Sequence, residues 1–233
     1  NPRWNRAQQT LRVLVLDLTG FGDSESAGKF YSTNDHVEFV AQVLRHFSID
    51  KSYIVGISYG GQIAATFTSN HPERLERLML VCCTGLAKTP FIISNKIAWK
   101  IFSFLVKHFV LTNQTLLCKM VSRSFYDVAS RPKDLCRKFF EQLSKPGHRD
   151  AWLNCFCNVF TGGEEFKQRL KEIQTPTLIL WGENDVTVLP KYGREIQQFI
   201  PNSTLHFFSE CAHSVPLEKP REFSSAIVSF LEN

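Results

Sequence analysis

The feature that most constrains this chain is a repeated alternation of short apolar runs with helical repeats. Residues 11–16 (LRVLVL) form a β-branched run that stops at Asp17 and the glycines Gly20 and Gly22, as a buried parallel strand ending in a tight turn does. Val37, Val40, Ala41, Leu44 and Phe47 then recur at helical spacing behind the cap candidates Ser32, Thr33 and Asn34. Residues 53–57 read as the next strand, 60–70 as a helix stopped near Pro72, and 77–82 as a third strand. Parallel strands joined by covering helices are the architecture such an order dictates.

The rhythm breaks after Thr84 and returns at Pro176, with strands predicted at 177–181 and 205–208 and helices at 192–200 and 220–231. Residues 1–84 and 173–233 therefore read as one α/β core, and 85–172 as a helical cap inserted into it. The chain has 233 residues, 43% hydrophobic and 21% charged, which excludes disordered and collagen-like classes. No apolar run approaches the roughly 18–20 residues of a membrane-spanning helix. The seven cysteines (82, 83, 118, 136, 155, 157 and 211) are odd in number and sit mostly in apolar stretches, so all are expected to be free thiols in a reducing, cytoplasmic compartment. None has the paired spacing of a zinc site, and no metal or cofactor is expected.

Between the strand at 53–57 and the helix at 60–70 stands Gly56-Ile57-Ser58-Tyr59-Gly60-Gly61. This is G-x-S-x-G on a strand-to-helix turn, a pattern the glycine and serine content produces by chance only about 0.05 times before that context is required. A serine so placed projects alone at the carboxyl end of the sheet. Its hydroxyl needs a base oriented by a carboxylate before it becomes a nucleophile. Of seven histidines, only His213 follows the last strand on a loop; His36, His46 and His71 fall on helices or their ends, and His206 lies within a strand. Asp185, just after the strand at 177–181, is the preferred carboxylate, with Glu183 on the same loop as its rival. The order is nucleophile, acid, base: Ser58, Asp185, His213. Asp17 and Asp23 read as turn-forming residues.

These residues resemble the serine-nucleophile α/β-hydrolases, in the branch of capped esterases, monoacylglycerol lipases and carbon–carbon hydrolases. Asp17-x-x-Gly20-x-Gly22-x-Ser24, Gly56-x-Ser58-x-Gly60-Gly61, Trp181-Gly182-x-x-Asp185 and His213-x-x-Pro216-x-Glu218-x-Pro220 carry the likeness across nearly the whole chain. The resemblance implies the α/β-hydrolase fold and an oxyanion hole with one donor from the Tyr59 backbone N–H. It also implies that the family's first three strands and its His-Gly oxyanion loop lie upstream of this chain's start. The third of those strands belongs between 11–16 and 53–57, so a gap in the sheet is expected there, together with poor stability and weak activity.

The function expected is hydrolysis of carboxylic esters of apolar acyl groups, such as monoacylglycerol-like lipids, through an acyl-enzyme. Two alternatives stand beside it: hydrolysis of a carbon–carbon bond in a dienoic keto acid, for which polar and Arg residues in the pocket would be diagnostic, and ligand binding without catalysis. The cap holds 10 of the 20 phenylalanines and a balance of +8, against −3 for the rest of the chain. Within it, 97–111 reads as an amphipathic helix with a narrow polar stripe at Lys100, Ser103 and Lys107. Its wide apolar face is expected to pack on the core, with pocket lining and peripheral contact with anionic membranes as the other uses. Basic residues are dispersed and match no nucleic-acid motif, so a nucleic-acid partner is not expected.

Overall fold

A computed structural model describes residues 12–26 and 30–232. Four parallel strands form one sheet in chain order: β1 (Ser52–Ile57), β2 (Leu75–Val81), β3 (Thr177–Gly182) and β4 (Ser203–Phe208). β2 and β3 take the two central places, which require apolar side chains on both faces, and the Leu78–Val81 and Leu178–Trp181 runs supply them. Helix α1 (Thr33–His46) packs on α2 (Tyr59–Asn70), which is the crossover from β1 to β2. Trp181, Phe67 and Phe208 are fully buried in this core, each contributing about 1.5–3 kcal/mol by leaving water.

The start of α1 shows how local the signals are. Among the three cap candidates Ser32 is the cap: its Oγ accepts from the Asp35 N–H (3.2 Å), and Asp35 Oδ2 accepts from the Ser32 N–H (2.7 Å). This reciprocal box satisfies donors that the first helical turn leaves unpaired. Arg45 and His46 in the last turn favour the helix's negative end.

The strand expected at 11–16 is not formed by the described part of it, residues 12–16; Leu11 lies outside the described residues. A strand exists through a hydrogen-bonded neighbour, and β1 pairs only with β2 among the described residues. Val13 and Val15 are accordingly 61% and 89% exposed, and Tyr53, Val55 and Ile57 on one face of β1 are only partly covered. The turn that follows does form. Asp17 Oδ2 accepts from the Asp23 N–H (2.9 Å), and the Ser24 hydroxyl donates to the Asp17 carbonyl (2.7 Å).

Between β2 and β3 the described elements are helical: α3 (Lys96–Leu105), α4 (Gln114–Ser122), α5 (Leu135–Leu143), α6 (His148–Asn158) and α7 (Gly163–Glu172), with a π turn, Val106–Val110, extending α3. Leu111, Leu117, Leu143 and Leu153 form a second, smaller core there. After the insertion, α8 (Lys191–Phe199) connects β3 to β4, and α9 (Pro220–Glu232) closes the chain.

Two expectations about the insertion are corrected. Cys118 on α4 and Cys136 on α5 are disulfide-bonded, their Cα atoms 5.1 Å apart, while the other five cysteines are free. The helix hairpin creates this proximity, which the sequence separation of 18 does not reveal. The argument from cysteines for a reducing compartment falls with it. Second, the apolar face of α3 is only partly covered, and its polar stripe is divided: Lys100 is exposed while Ser103 and Lys107 are half-buried. Lys107 pairs with Asp150 of α6 at 2.5 Å, Trp99 and Phe102 lie against Phe156, and Ile97, Ile101, Phe104, Leu105 and Phe109 are left exposed. The described residues include no single helix long and apolar enough to cross a membrane.

Candidate active site

Ser58 sits between β1 and α2 with φ +54° and ψ −118°, a backbone conformation that strains any residue but glycine. Its N–H donates to the Val81 carbonyl (2.8 Å), and its carbonyl accepts from the N–H groups of Gly61 (2.9 Å) and Thr84 (3.2 Å). The turn is thereby tied to the carboxyl end of β2 and to the segment that follows it. The surrounding glycines have unequal reasons. A side chain on Gly56 would strike the Gly60 backbone, and one on Gly61 would come within 2.9 Å of Cys83, whereas Gly60 faces open space. Tyr59 opens α2, so its N–H is one of the first-turn donors that find no carbonyl within the helix and point toward the serine end of the sheet.

Asp185 follows β3, and His213 lies on the loop after β4. Their separation of 28 residues closes to 2.7 Å between Asp185 Oδ2 and His213 Nδ1. Asp185 Oδ1 accepts from the N–H groups of Thr187 (2.8 Å) and Val188 (2.9 Å), which fixes the carboxylate before the imidazole meets it. The Asp185 side chain is 0% exposed and that of His213 14%. Glu183 is exposed, and its backbone N–H instead joins the loop to the Phe208 carbonyl at 3.0 Å. Burial therefore separates the two rival carboxylates. His36, His71 and His206 are engaged elsewhere, against Tyr31 and Tyr59, Phe67, and Phe208 respectively. Among the described residues the Ser58 hydroxyl makes no hydrogen bond; catalytic contacts of this kind commonly tighten only around substrate.

Three residues at this site were not singled out from sequence. Cys82 directly follows β2 beneath the pair, with its Sγ, an Asp185 oxygen and a His213 nitrogen mutually within 4.8 Å. Burial, and then the Asp185 carboxylate, push its thiol well above the ordinary range. A metal ion held by these three would have to displace the Asp185–His213 hydrogen bond and ionise that thiol, so the trio fits a hydrogen-bonded pair over a neutral thiol better than a metal centre. Glu218 holds the histidine loop: Oε1 accepts from the Ala212 N–H (2.9 Å) and Oε2 from the Tyr126 N–H of the insertion (2.6 Å). Asn158 of α6 donates through Nδ2 to the Tyr59 hydroxyl (2.8 Å) and the Tyr31 carbonyl (2.7 Å). Their signals were weak, since Glu218 appeared only as a motif position and Asn158 lay in a segment without strand markers.

The family model described as the alpha/beta hydrolase fold matches residues 5–220. A 2-hydroxy-6-oxononadienedioate/2-hydroxy-6-oxononatrienedioate hydrolase of Klebsiella pneumoniae is 30% identical over 226 residues, covering 94% of this chain and 76% of the relative. The hydrolase of the same description from Burkholderia vietnamiensis is 29% identical over 224 residues, with the same coverage. Among solved structures, a bromoperoxidase from Bacillus anthracis superposes with a TM-score of 0.81 at 22% identity, covering 100% of this chain and 87% of that one. A meta-cleavage product hydrolase from Pseudomonas fluorescens IP01 superposes with 0.76 at 20% identity, covering 93% and 78%. At these identities the structural likenesses establish the fold.

Proposed function

Since this chain belongs to the α/β-hydrolase fold family, we propose that it is a serine-nucleophile hydrolase cleaving a carbon–carbon bond beside the ketone of a dienoic keto acid. The observation that carries the choice of bond is the similarity, at 26–30% identity, to relatives named as hydrolases of 2-hydroxy-6-oxo-dienedioates. Ester hydrolysis, the bond preferred from sequence, becomes the second reading, supported by the ten phenylalanines of the insertion. A basic insertion at +8 agrees with an anionic substrate. Arg123 is the residue to test as a carboxylate partner, because the carbonyl of its neighbour Ser124 accepts from the Ser214 N–H, next to His213, at 2.9 Å.

Ser58 Oγ attacks the ketone carbon and His213 takes its proton at Nε2, leaving the oxyanion to the Tyr59 N–H. Collapse breaks the adjacent carbon–carbon bond of the substrate's 2-oxo tautomer, in which a proton has moved from the 2-hydroxyl to the carbon beside the ketone, and the electron pair enters the conjugated dienolate. The imidazolium then protonates the dienolate oxygen, giving the 2-hydroxydienoate product. Water, deprotonated by the same imidazole, hydrolyses the acyl-Ser58 ester to a carboxylic acid and restores the hydroxyl. Asp185 holds Nδ1–H throughout and stabilises the imidazolium. No cofactor enters this scheme.

The test combines fluorophosphonate labelling, read by intact mass, with turnover of a chromogenic 2-hydroxy-6-oxo-dienoate and of a p-nitrophenyl ester series. Labelling absent in Ser58→Ala, and kcat/KM higher for the dienoate than for any ester, is expected. Ester turnover without dienoate turnover would move the function to the ester reading. Neither labelling nor turnover would leave a ligand-binding protein.

A further inference from the structure

Helix α3 and its π turn carry apolar residues on two opposite sides, and only one side is covered. On the inner side Trp99 stacks near Phe156 with ring centroids 6.3 Å apart, and Trp99 and Val106 pack on the small core of the insertion. On the outer side Ile97 is 73% exposed and Phe109 62%, with Ile101, Phe104 and Leu105 exposed between them. At about 100° per residue, positions 97, 101, 104 and 105 fall within one outward sector about 100° wide. Phe91, on the turn of helix just before α3, is exposed as well. Contiguous exposed apolar side chains of this size mark a surface that something covers.

The charge beside the stripe identifies the cover. Residues 88–126 contain Lys88, Lys96, Lys100, Lys107, Lys119 and Arg123 and no Asp or Glu. Lys107 is neutralised by Asp150; the other five form no ion pair among the described residues. Lys96 and Lys100 are exposed on α3 itself, both on the same side of the apolar sector. A second copy of this chain would bring the same positive charge against this one and be repelled. An anionic bilayer supplies what both features require, acyl chains for the stripe and headgroup charge for the lysines, with the helix lying in the plane of the interface.

We propose that the outer face of α3 and its π turn is an interfacial membrane-docking surface selective for anionic lipid. The Lys107–Asp150 pair and the inner aromatic stack hold the helix with its apolar edge outward, so no rearrangement is needed before docking. This inference is independent of the bond the site cleaves.

Vesicle co-sedimentation of the purified chain tests it, with phosphatidylcholine vesicles compared with vesicles containing about one-third phosphatidylserine. Strong preference for the anionic vesicles, weakened by high salt, is expected. Lys96→Gln with Lys100→Gln should cut that binding about 25-fold, at about fivefold per lysine. Ile97→Ser with Phe104→Ser should cut it about 100-fold or more, with melting temperature little changed because both side chains are mostly exposed. Equal binding to both vesicle types, or binding untouched by either double variant, overturns the proposal. So does a concentration-dependent dimer abolished by Ile97→Ser with Phe104→Ser in a chain that does not sediment with vesicles.

Discussion

Replacing Asp185 with Asn tests the proposed site at the point where the geometry is most constrained. Oδ1 accepts two backbone N–H groups, from Thr187 at 2.8 Å and Val188 at 2.9 Å. In the variant only the amide oxygen can occupy that place, because an NH2 there would face two donors. The amide nitrogen is therefore forced to the position of Oδ2, 2.7 Å from His213 Nδ1, where it donates. A donor at that position makes Nδ1 an acceptor and puts the ring proton on Nε2, the nitrogen that must receive the Ser58 proton. The wrong tautomer is thus imposed by two backbone groups, and kcat should fall by about 10⁴, or roughly 5.4 kcal/mol of transition-state stabilisation. Because the oxygen contacts survive, the melting temperature should move by only about 2–4 °C, corresponding to about 1 kcal/mol for loss of charge-assisted bonding. Steady-state turnover, fluorophosphonate labelling rate and thermal melting measure the three quantities, with exposed Glu183→Gln as the control expected to stay within a few-fold of the parent. An Asp185→Asn protein retaining more than a tenth of parental turnover would refute the assignment of Asp185 as orienting acid.

Three other outcomes are expected. Ser58→Gly should abolish labelling yet raise the melting temperature, because glycine relieves a φ of +54° that costs a side-chain-bearing residue about 1–3 kcal/mol. Burial holds the His36 imidazole below its ordinary value of 6.5 despite the opposing charge of Asp35, and its Nδ1 has no hydrogen-bond partner among the described residues. The unfolded chain therefore binds more protons than the folded one, so this stability is present above pH 6.5 and declines as pH falls below it toward the folded value; His36→Phe, which keeps the ring contacts with Tyr31 and Tyr59, should flatten that part of the melting-temperature profile. Reducing the Cys118–Cys136 bond should cost about 3 kcal/mol for a closed loop of this length, read as a lower melting temperature with reductant that is absent in the Cys118→Ser, Cys136→Ser variant.

What was legible in the sequence was what is decided locally. The Ser32–Asp35 box, the Asp17 turn and the crowded Gly56 each depend on atoms within a few residues, so the residue types disclose them. The loop after a parallel strand has only one place to go, the carboxyl end of the sheet, and this made Asp185 and His213 predictable across 28 residues. Non-local decisions stayed hidden. Whether residues 12–16 form a strand depends on a neighbour, not on their own β propensity. Periodicity put Lys100, Ser103 and Lys107 in one stripe but could not tell which side of α3 faces inward, and that was settled by Asp150 on another helix. Cys82 read as a buried apolar residue, and its place beneath Asp185 follows only from the parallel register that sets β2 beside β3.

The insertion is joined to the proposed site at two points, and Glu218 governs one of them. Its carboxylate bridges the Ala212 N–H, adjacent to His213, and the Tyr126 N–H of the insertion, while the Ser214 N–H on the other side of His213 donates to the Ser124 carbonyl. The imidazole is thus held from both flanking residues, and the insertion supplies half of each restraint. Glu218→Ala removes two acceptors at once, and the buried Ala212 N–H left without one costs about 1–3 kcal/mol. The larger effect should be on catalysis, because a displacement near 1 Å of a reacting group costs about 10². Glu218 touches no reacting atom in this scheme, so it is a positioning residue: kcat should fall by about 10²-fold with KM little changed, and the labelling rate should fall in parallel. Glu218→Gln, which keeps one acceptor oxygen, should recover part of both losses. A Glu218→Ala protein that melts lower but turns over at the parental rate would mean that the loop positions His213 without help from the insertion.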